Sequence, residues 1–267
     1  MKICLSISYP MRTSRSPSIH SEGYKKLGID DEFIYLRAEV KPEYLKMAID
    51  GIRGLGIKGV SVTMPHKQEV MKYLDKIDKE AKIIGAVNTI VNDNGKLTGF
   101  NTDYIGALMA LEKKINLEGK NVAVIGAGGA ARAIVYGLTK RGARVKIFNR
   151  SLDKAKSLGQ EFGCEYGNLD SLEEISKMDV VINATSVGMN EDKSPIDKKF
   201  LNKNQVIFDV VYTPKETRLI KDAKEKGAKV IYGYEMLLYQ GVEQFKLYTG
   251  LNAPVEAMRE VLVKSLK

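Results

Sequence analysis

Tryptophan is absent from this 267-residue chain, and cysteine and histidine occur only twice each. Cys4 and Cys164 stand far apart and match no metal or redox spacing. With only His20 and His66 available, no His/Cys/carboxylate cluster suggests a bound metal. Both cysteines sit in strand-like surroundings and read as buried free thiols, because a disulfide is not expected in a reducing compartment. No apolar run reaches membrane-spanning length, and Met1 to Pro10 is too short for a signal peptide and lacks a cleavage site. A cytoplasmic protein with no membrane partner is the expectation.

Charge is present in both signs, with a net excess of +9. The lysines are interleaved with acids, as in Asp75-Lys76-Ile77-Asp78-Lys79-Glu80-Ala81-Lys82, a pattern of solvated helix faces. No basic stripe with interleaved aromatics appears, so nucleic acid is not expected as a partner. The surplus would instead steer phosphorylated or carboxylated small molecules toward the protein. Hydrophobic residues at 44% and charged residues at 28% argue for a folded chain, and the length favours two domains.

Strand-like and helix-like segments alternate from the start. Residues 3–7, 33–37 and 59–63 read as strands, with helical patterns over 16–27 and 44–55 between them. Residues 67–77 show helical spacing of Val70, Met71, Leu74 and Ile77, followed by a hairpin over 86–101 turning at Asp93-Asn94-Gly95. Such units are expected to build a parallel sheet covered on both faces. A second set, with strands at 121–125, 144–149, 180–184, 206–211 and 229–232, reads as a doubly wound nucleotide-binding architecture. The last stretch reads as one or two helices broken near 249–254, able to cap its own domain or to cross back to the first.

The strongest motif is Gly126-Ala127-Gly128-Gly129-Ala130-Ala131, set between a strand and a helix. The first glycine permits a tight turn, the second lets backbone approach a pyrophosphate, and the small Ala131 allows close helix–strand packing. The helix N-terminus then presents free N–H groups and positive partial charge. At the next strand end, where NAD-binding domains carry an acid, the chain reads Phe148-Asn149-Arg150-Ser151, with Lys154 one turn later. Arg150 can stack on adenine and pair with a 2′-phosphate, supported by Ser151 and Lys154, so NADP is the expected cofactor.

Four polar clusters precede this motif: Thr13-Ser14-Arg15-Ser16-Pro17, Ser61-Val62-Thr63-Met64-Pro65-His66-Lys67, Gly85-Ala86-Val87-Asn88-Thr89 and Gly99-Phe100-Asn101-Thr102-Asp103. Each lies at a strand end or helix start, where α/β proteins place their sites. Singly, each also has a plain structural reading: a proline-led helix start, a strand terminator, a turn residue, an N-cap. In order, with Asn183-Ala184-Thr185-Ser186-Val187-Gly188-Met189, Asp209-Val210-Val211-Tyr212-Thr213-Pro214 and Gly233-Tyr234-Glu235-Met236-Leu237-Leu238-Tyr239-Gln240, they resemble the shikimate dehydrogenase family along nearly the whole chain.

That resemblance implies an N-terminal α/β substrate-binding domain (1–103), a doubly wound Rossmann NADP-binding domain (104–235) and a C-terminal helical segment (236–267) returning to the first domain. The implied activity interconverts 3-dehydroshikimate and shikimate in chorismate and aromatic amino-acid biosynthesis, by a monomer or homodimer. By the same resemblance Lys67 and Asp103 are catalytic, the lysine as charge and proton source and the aspartate orienting it. Ser14 and Ser16 would hold the substrate carboxylate with Tyr212, while Thr63, Asn88 and Gln240 would surround the ring hydroxyls. Thr185, Gly233 and Met236 would line the nicotinamide. The chain departs from the family at Ser61, where Asn is usual before Val-Thr, at the Tyr9 to Thr13 approach with Arg12, and at Ser21. A quinate/shikimate dehydrogenase preferring NAD and a non-catalytic sensor of the same fold are the rival readings, against which the absent acid at Asn149 and the Lys67/Asp103 pair respectively stand.

Overall fold

The computed structural model describes residues 1–11 and 14–266, so Arg12 and Thr13 lie outside the described residues. The chain divides into two compact units, one of Met1–Thr102 with Gln240–Ser265, the other built on Asp103–Tyr239.

The first unit runs β1 (Lys2–Ser8), α1 (Ser16–Leu27), β2 (Phe33–Glu39), α2 (Leu45–Gly54), β3 (Gly59–Val62), β4 (Lys76–Ile77), α3 (Lys79–Ile84), β5 (Thr89–Asp93) and β6 (Lys96–Phe100). Its six strands are ordered β2-β1-β3-β5-β6-β4. The sheet is mixed rather than wholly parallel: β1 pairs in parallel with β2 and β3, but β5 runs against both β3 and β6. The reason is the short connection at Asn94-Gly95, which can join only antiparallel neighbours. Leu5, Ile7, Val60, Val62, Ile90 and Leu97 of the sheet pack with Leu45, Ile49 and Ile52 of α2. Full burial of each such side chain is worth about 1.5–3 kcal/mol.

The helix expected over 67–77 does not form. Glu69–Tyr73 is a 3-10 helix and Lys76–Ile77 is the short edge strand β4. Two interactions draw the chain out of a helix: the Leu97 N–H donates to Asp75 Oδ2 at 2.6 Å, and Lys76 pairs with Thr98. The interleaved charges that follow lie partly in α3, which Asp78 caps by accepting from the Glu80 N–H at 3.1 Å.

The second unit runs α4 (Asp103–Glu112), β7 (Asn121–Ile125), α5 (Gly129–Lys140), β8 (Arg144–Phe148), α6 (Leu152–Phe162), β9 (Glu165–Gly167), β10 (Val180–Asn183), β11 (Val206–Asp209), α7 (Arg218–Glu225) and β12 (Lys229–Ile231). All six strands are parallel, ordered β12-β11-β10-β7-β8-β9, the doubly wound arrangement with its switch point between β10 and β7. Val122, Val124, Val181, Ile182, Ile207 and Phe208 read as near-continuous apolar runs because helices cover both faces.

Helix α8 (Gly233–Thr249) begins in the second unit and is unbroken through Gln240, from which its residues belong to the first. Helix α9 (Val255–Lys264) packs on α1. Cys4 is buried and Cys164 half-buried at the start of β9, both free, and burial pushes each thiol up to about 11. Neither is poised as a nucleophile. Among the described residues no helix is long and apolar enough to cross a membrane.

Candidate functional site

In the first unit, the segments carrying the polar clusters are stitched side by side. The Val62 N–H donates to the Asn88 carbonyl at 2.8 Å, the Val87 N–H to the Lys67 carbonyl at 2.8 Å, and the Asn88 N–H to the Phe100 carbonyl at 3.1 Å. The turn bearing Lys67, the end of the Gly85-Ala86 turn and the end of β6 therefore meet at one end of the sheet. Thr63 is exposed just beyond β3, Lys67 is half-buried, and Asn88, Thr102 and Asp103 are buried. Asp103 opens α4, next in the chain after Thr102.

Asn88 is held by its own side chain. Its Oδ1 accepts from the Thr102 N–H at 2.7 Å and the Thr89 hydroxyl at 2.8 Å, and its Nδ2 donates to Thr102 Oγ1 at 3.0 Å. Thr89 Oγ1 in turn accepts from Gln244 Nε2 at 2.9 Å, while Gln244 Oε1 accepts from the Ser61 hydroxyl at 2.8 Å. Because Ser61 has a single hydroxyl proton, Tyr35 at 2.5 Å and Tyr248 at 3.1 Å must donate to it. A directed chain thus runs Tyr35, Ser61, Gln244, Thr89, Asn88, Thr102, linking β2, β3, α8, β5 and the end of β6.

Sequence reasoning missed Gln244, although it stands one helical turn after Gln240 on α8 and so on the same face. It noted Ser61 only as a departure from the usual Asn. In three dimensions the shorter serine and the long Gln244 complete one network. Gln244→Leu leaves the Ser61 and Thr89 hydroxyls without these partners in a buried site. It is expected to lower stability by about 1–3 kcal/mol, read as a reduced urea midpoint at unchanged slope. An unaltered midpoint would show that the network contributes nothing.

Ser14 and Ser16 open α1: Ser14 Oγ accepts from the Ser16 N–H at 3.2 Å, and Ser16 lies near the Tyr35 hydroxyl. Gln240 is buried in α8, within the same unit.

In the second unit, Gly126 ends β7 at φ +114, and a Cβ there would stand 3.0 Å from the Ala184 carbonyl oxygen and 3.1 Å from Thr185. Only glycine fits that turn without strain. Gly128 is extended and exposed, and a Cβ added to it would meet nothing within 4 Å, so backbone faces open space at the head of α5. No side chain caps that helix and its first turn holds no acid. The N–H groups at Gly129, Ala130 and Ala131, after Ala127, head this helix, where an anionic ligand would be favoured. At the end of β8, Asn149 Nδ2 donates to the Ser151 carbonyl at 2.9 Å. Arg150, Ser151 and Lys154 are exposed, and Asp153 is the acid of the first turn of α6.

The ends of β10 and β11 carry a second network. Asn183 Oδ1 accepts from the Thr185 N–H at 3.0 Å and hydroxyl at 2.6 Å, and Asn183 Nδ2 donates to Asp209 Oδ1 at 2.9 Å. Asp209 also accepts from the Thr217 hydroxyl at 2.5 Å and the Val211 N–H at 3.0 Å. Burial raises its carboxyl to about 6, against those hydrogen bonds. Gly233 and the buried Met236 begin α8 beside this strand end, and Tyr212 is half-buried after β11.

A parallel doubly wound sheet with this glycine turn at its switch point defines a dinucleotide-binding α/β protein, and the residues around Gly128 and Arg150 suit a phosphorylated dinucleotide. Comparison with known proteins is more specific. Residues 7–90 match the family model for the shikimate dehydrogenase substrate binding domain, 108–213 that for shikimate / quinate 5-dehydrogenase, and 233–263 that for the shikimate 5'-dehydrogenase C-terminal domain. A shikimate dehydrogenase (NADP(+)) of Pyrococcus abyssi is 46% identical over 100% of this chain and 99% of its own. A crystal structure of a shikimate dehydrogenase in complex with NADP+ superposes with a TM-score of 0.95 at 41% identity, covering 100% and 96% of the two chains. The Thermus thermophilus enzyme in complex with NADP(H) and shikimate gives 0.93 at 35% identity, covering 100% of both. The chain belongs to the shikimate dehydrogenase family.

Proposed function

We propose that this chain interconverts 3-dehydroshikimate and shikimate with NADP(H), a step in aromatic amino-acid biosynthesis, with small molecules as its ligands. The observation that carries this reading is the stitching of the Lys67 turn to Val87 and, through the adjoining Asn88 side chain, to Thr102 beside Asp103 in the chain. A ketone reduction needs such a point, where charge and a proton meet an oxygen. Bound NADPH supplies the hydride. Lys67 stabilises the negative charge that develops on the ketone oxygen and delivers its proton. Asp103 accepts a hydrogen bond from a neighbouring substrate hydroxyl. Ser14, Ser16 and Tyr212 take the carboxylate, and Thr63, Asn88 and Gln240 the ring hydroxyls, with the Asn88 side chain held by Thr89 and Thr102. Gly126 to Ala131 cradle the pyrophosphate; Asn149, Arg150, Ser151 and Lys154 take the adenosine end, and Thr185, Gly233 and Met236 the nicotinamide.

The test is nicotinamide absorbance on mixing purified protein with shikimate and NADP or NAD, with quinate in parallel. Turnover with shikimate and NADP is expected; comparable rates with NAD or quinate would move the reading to a quinate/shikimate dehydrogenase, and none at all to a sensor.

Arg150 is the cofactor discriminator. Arg150→Ala removes the exposed guanidinium that meets the 2′-phosphate, and is expected to raise the KM for NADP about tenfold or more while leaving that for NAD nearly unchanged. Equal loss with both cofactors would place Arg150 in a general role instead.

A further inference from the structure

Asp209, at the end of β11, is 0% exposed, and no lysine or arginine among the described residues bears on its charge. A carboxylate in such a place is costly unless donors surround it. Here Asn183 Nδ2 and the Val211 N–H donate to Oδ1 at 2.9 and 3.0 Å, and the Thr217 hydroxyl donates to Oδ2 at 2.5 Å. Thr217 Oγ1 itself accepts from the Ile220 N–H at 3.3 Å, which leaves its own proton for Asp209. Every partner is a donor, so the site suits a group that accepts on both oxygens. With its carboxyl raised to about 6, Asp209 is such a group at neutral pH.

These bonds hold two segments that lie beyond the strand ends. Asn183, also 0% exposed, donates to the Val187 carbonyl at 3.1 Å as well as to Asp209. Its Oδ1 accepts from the Thr185 N–H and hydroxyl, and Thr185 Oγ1 accepts from the Val187 N–H at 3.1 Å. The 184–187 loop is thus wound around the Asn183 amide, and Asp209 sets which way that amide points. The loop lies against the glycine turn, since Ala184 and Thr185 are what crowd Gly126.

The second segment is 210–211, whose Val211 N–H is bound by the same carboxylate. Gly233 lies so close to this backbone that a Cβ on it would stand 2.5 Å from the Val210 carbonyl oxygen and 2.6 Å from that of Val211. One buried acid therefore braces both Thr185 and Gly233.

We propose that Asp209 is a positioning residue for the nicotinamide half of the cofactor, setting the 184–187 loop through Asn183 and the seat of Gly233 through Val211. The inference rests on the reading that Thr185 and Gly233 line the nicotinamide. The adenosine end belongs to the end of β8, and both β10 and β7 stand between β8 and β11. Loss of the Asp209 bonds should therefore fall on one half of the dinucleotide, whereas a purely structural acid would affect both halves alike.

The experiment is calorimetric titration of the full chain, at neutral pH, with NADPH and with adenosine 2′,5′-bisphosphate, which carries the adenosine end without the nicotinamide. Asp209→Asn turns an N–H toward one of the three donors. It is expected to weaken NADPH about tenfold while the bisphosphate stays within about twofold of wild type. Thr217→Val removes one donor and should weaken NADPH about threefold, and Thr217→Ser, which keeps the hydroxyl, should restore wild-type affinity. The Thr217 pair keeps the test decisive if Asp209→Asn does not fold. Unchanged NADPH affinity in the folded variants, equal loss of both ligands, or a Thr217→Ser no better than Thr217→Val would each overturn the proposal. A wild type that binds NADPH no better than the bisphosphate would instead remove the nicotinamide reading, and the proposal with it.

Discussion

Lys67→Ala is expected to lower kcat by about a hundred- to ten-thousand-fold while the KM for shikimate moves by no more than a few-fold. On the proposed mechanism the proton it delivers and the charge it supplies matter only as the ketone oxygen gains negative charge, so the loss falls on the transition state. The variant keeps the backbone contact from the Val87 N–H to the Lys67 carbonyl at 2.8 Å and the His66 contact with the Val40 carbonyl at 2.8 Å, both of which hold this turn. Steady-state kinetics with varied shikimate at saturating NADP checks this. A near-normal kcat would make Lys67 a solvated turn residue. Asp103→Asn differs in expectation, raising KM as well as lowering kcat, since on the proposed mechanism it replaces a charged acceptor of a substrate hydroxyl with a neutral, weaker one.

The second large effect is on stability in acid. His20 is fully buried in α1, stacked on Tyr35 at 4.4 Å, with Tyr24, Phe245 and Tyr248 around it. Neither ring nitrogen has a hydrogen-bond partner among the described residues. Burial lowers its pKa from 6.5 to about 3, with Gln244 opposing weakly. The unfolded chain therefore binds a proton that the folded chain refuses between those values. Stability from this group is complete above about pH 6.5 and is lost as pH falls toward 3. At pH 4 the loss is roughly 3 kcal/mol.

Asp209 acts in the opposite sense. Its folded carboxyl holds a proton up to about pH 6, so its contribution improves as pH falls from 6 toward 3.8. Comparison of variants separates the two groups. His20→Phe keeps the stacking and removes the titration, so between pH 7 and pH 4 it should gain about 3 kcal/mol relative to wild type in urea unfolding. Parallel curves for the two proteins would mean that His20 is solvated.

What the chain announced in one dimension was whatever depends on neighbours in sequence. The glycine turn at Gly126–Ala131, the Asn94-Gly95 hairpin and α1 over Ser16–Leu27 need only local backbone geometry and side-chain period, and they stand where those predict. The 67–77 stretch shows the limit of such reasoning. Its helical spacing was overridden when Asp75 and Lys76 found partners on β6, more than twenty residues on.

The polar clusters were legible as motifs, but not the reason for their order. Gln244 reaches Ser61 and Thr89 across 183 and 155 residues of chain, and no periodicity carries such a contact. The same holds for β2. Its sequence reads as an ordinary strand, and only the assembled sheet makes it the long edge with Ile34 and Leu36 uncovered. Sequence by itself determined most of the elements, though not the 67–77 stretch, and the glycine turn and the family, because local backbone preference and ordered motifs are written along the chain. Tertiary structure alone decided the mixed sheet, the Gln244 network, the buried uncharged His20 and the open edge, because burial and long-range hydrogen bonding exist only once distant segments meet.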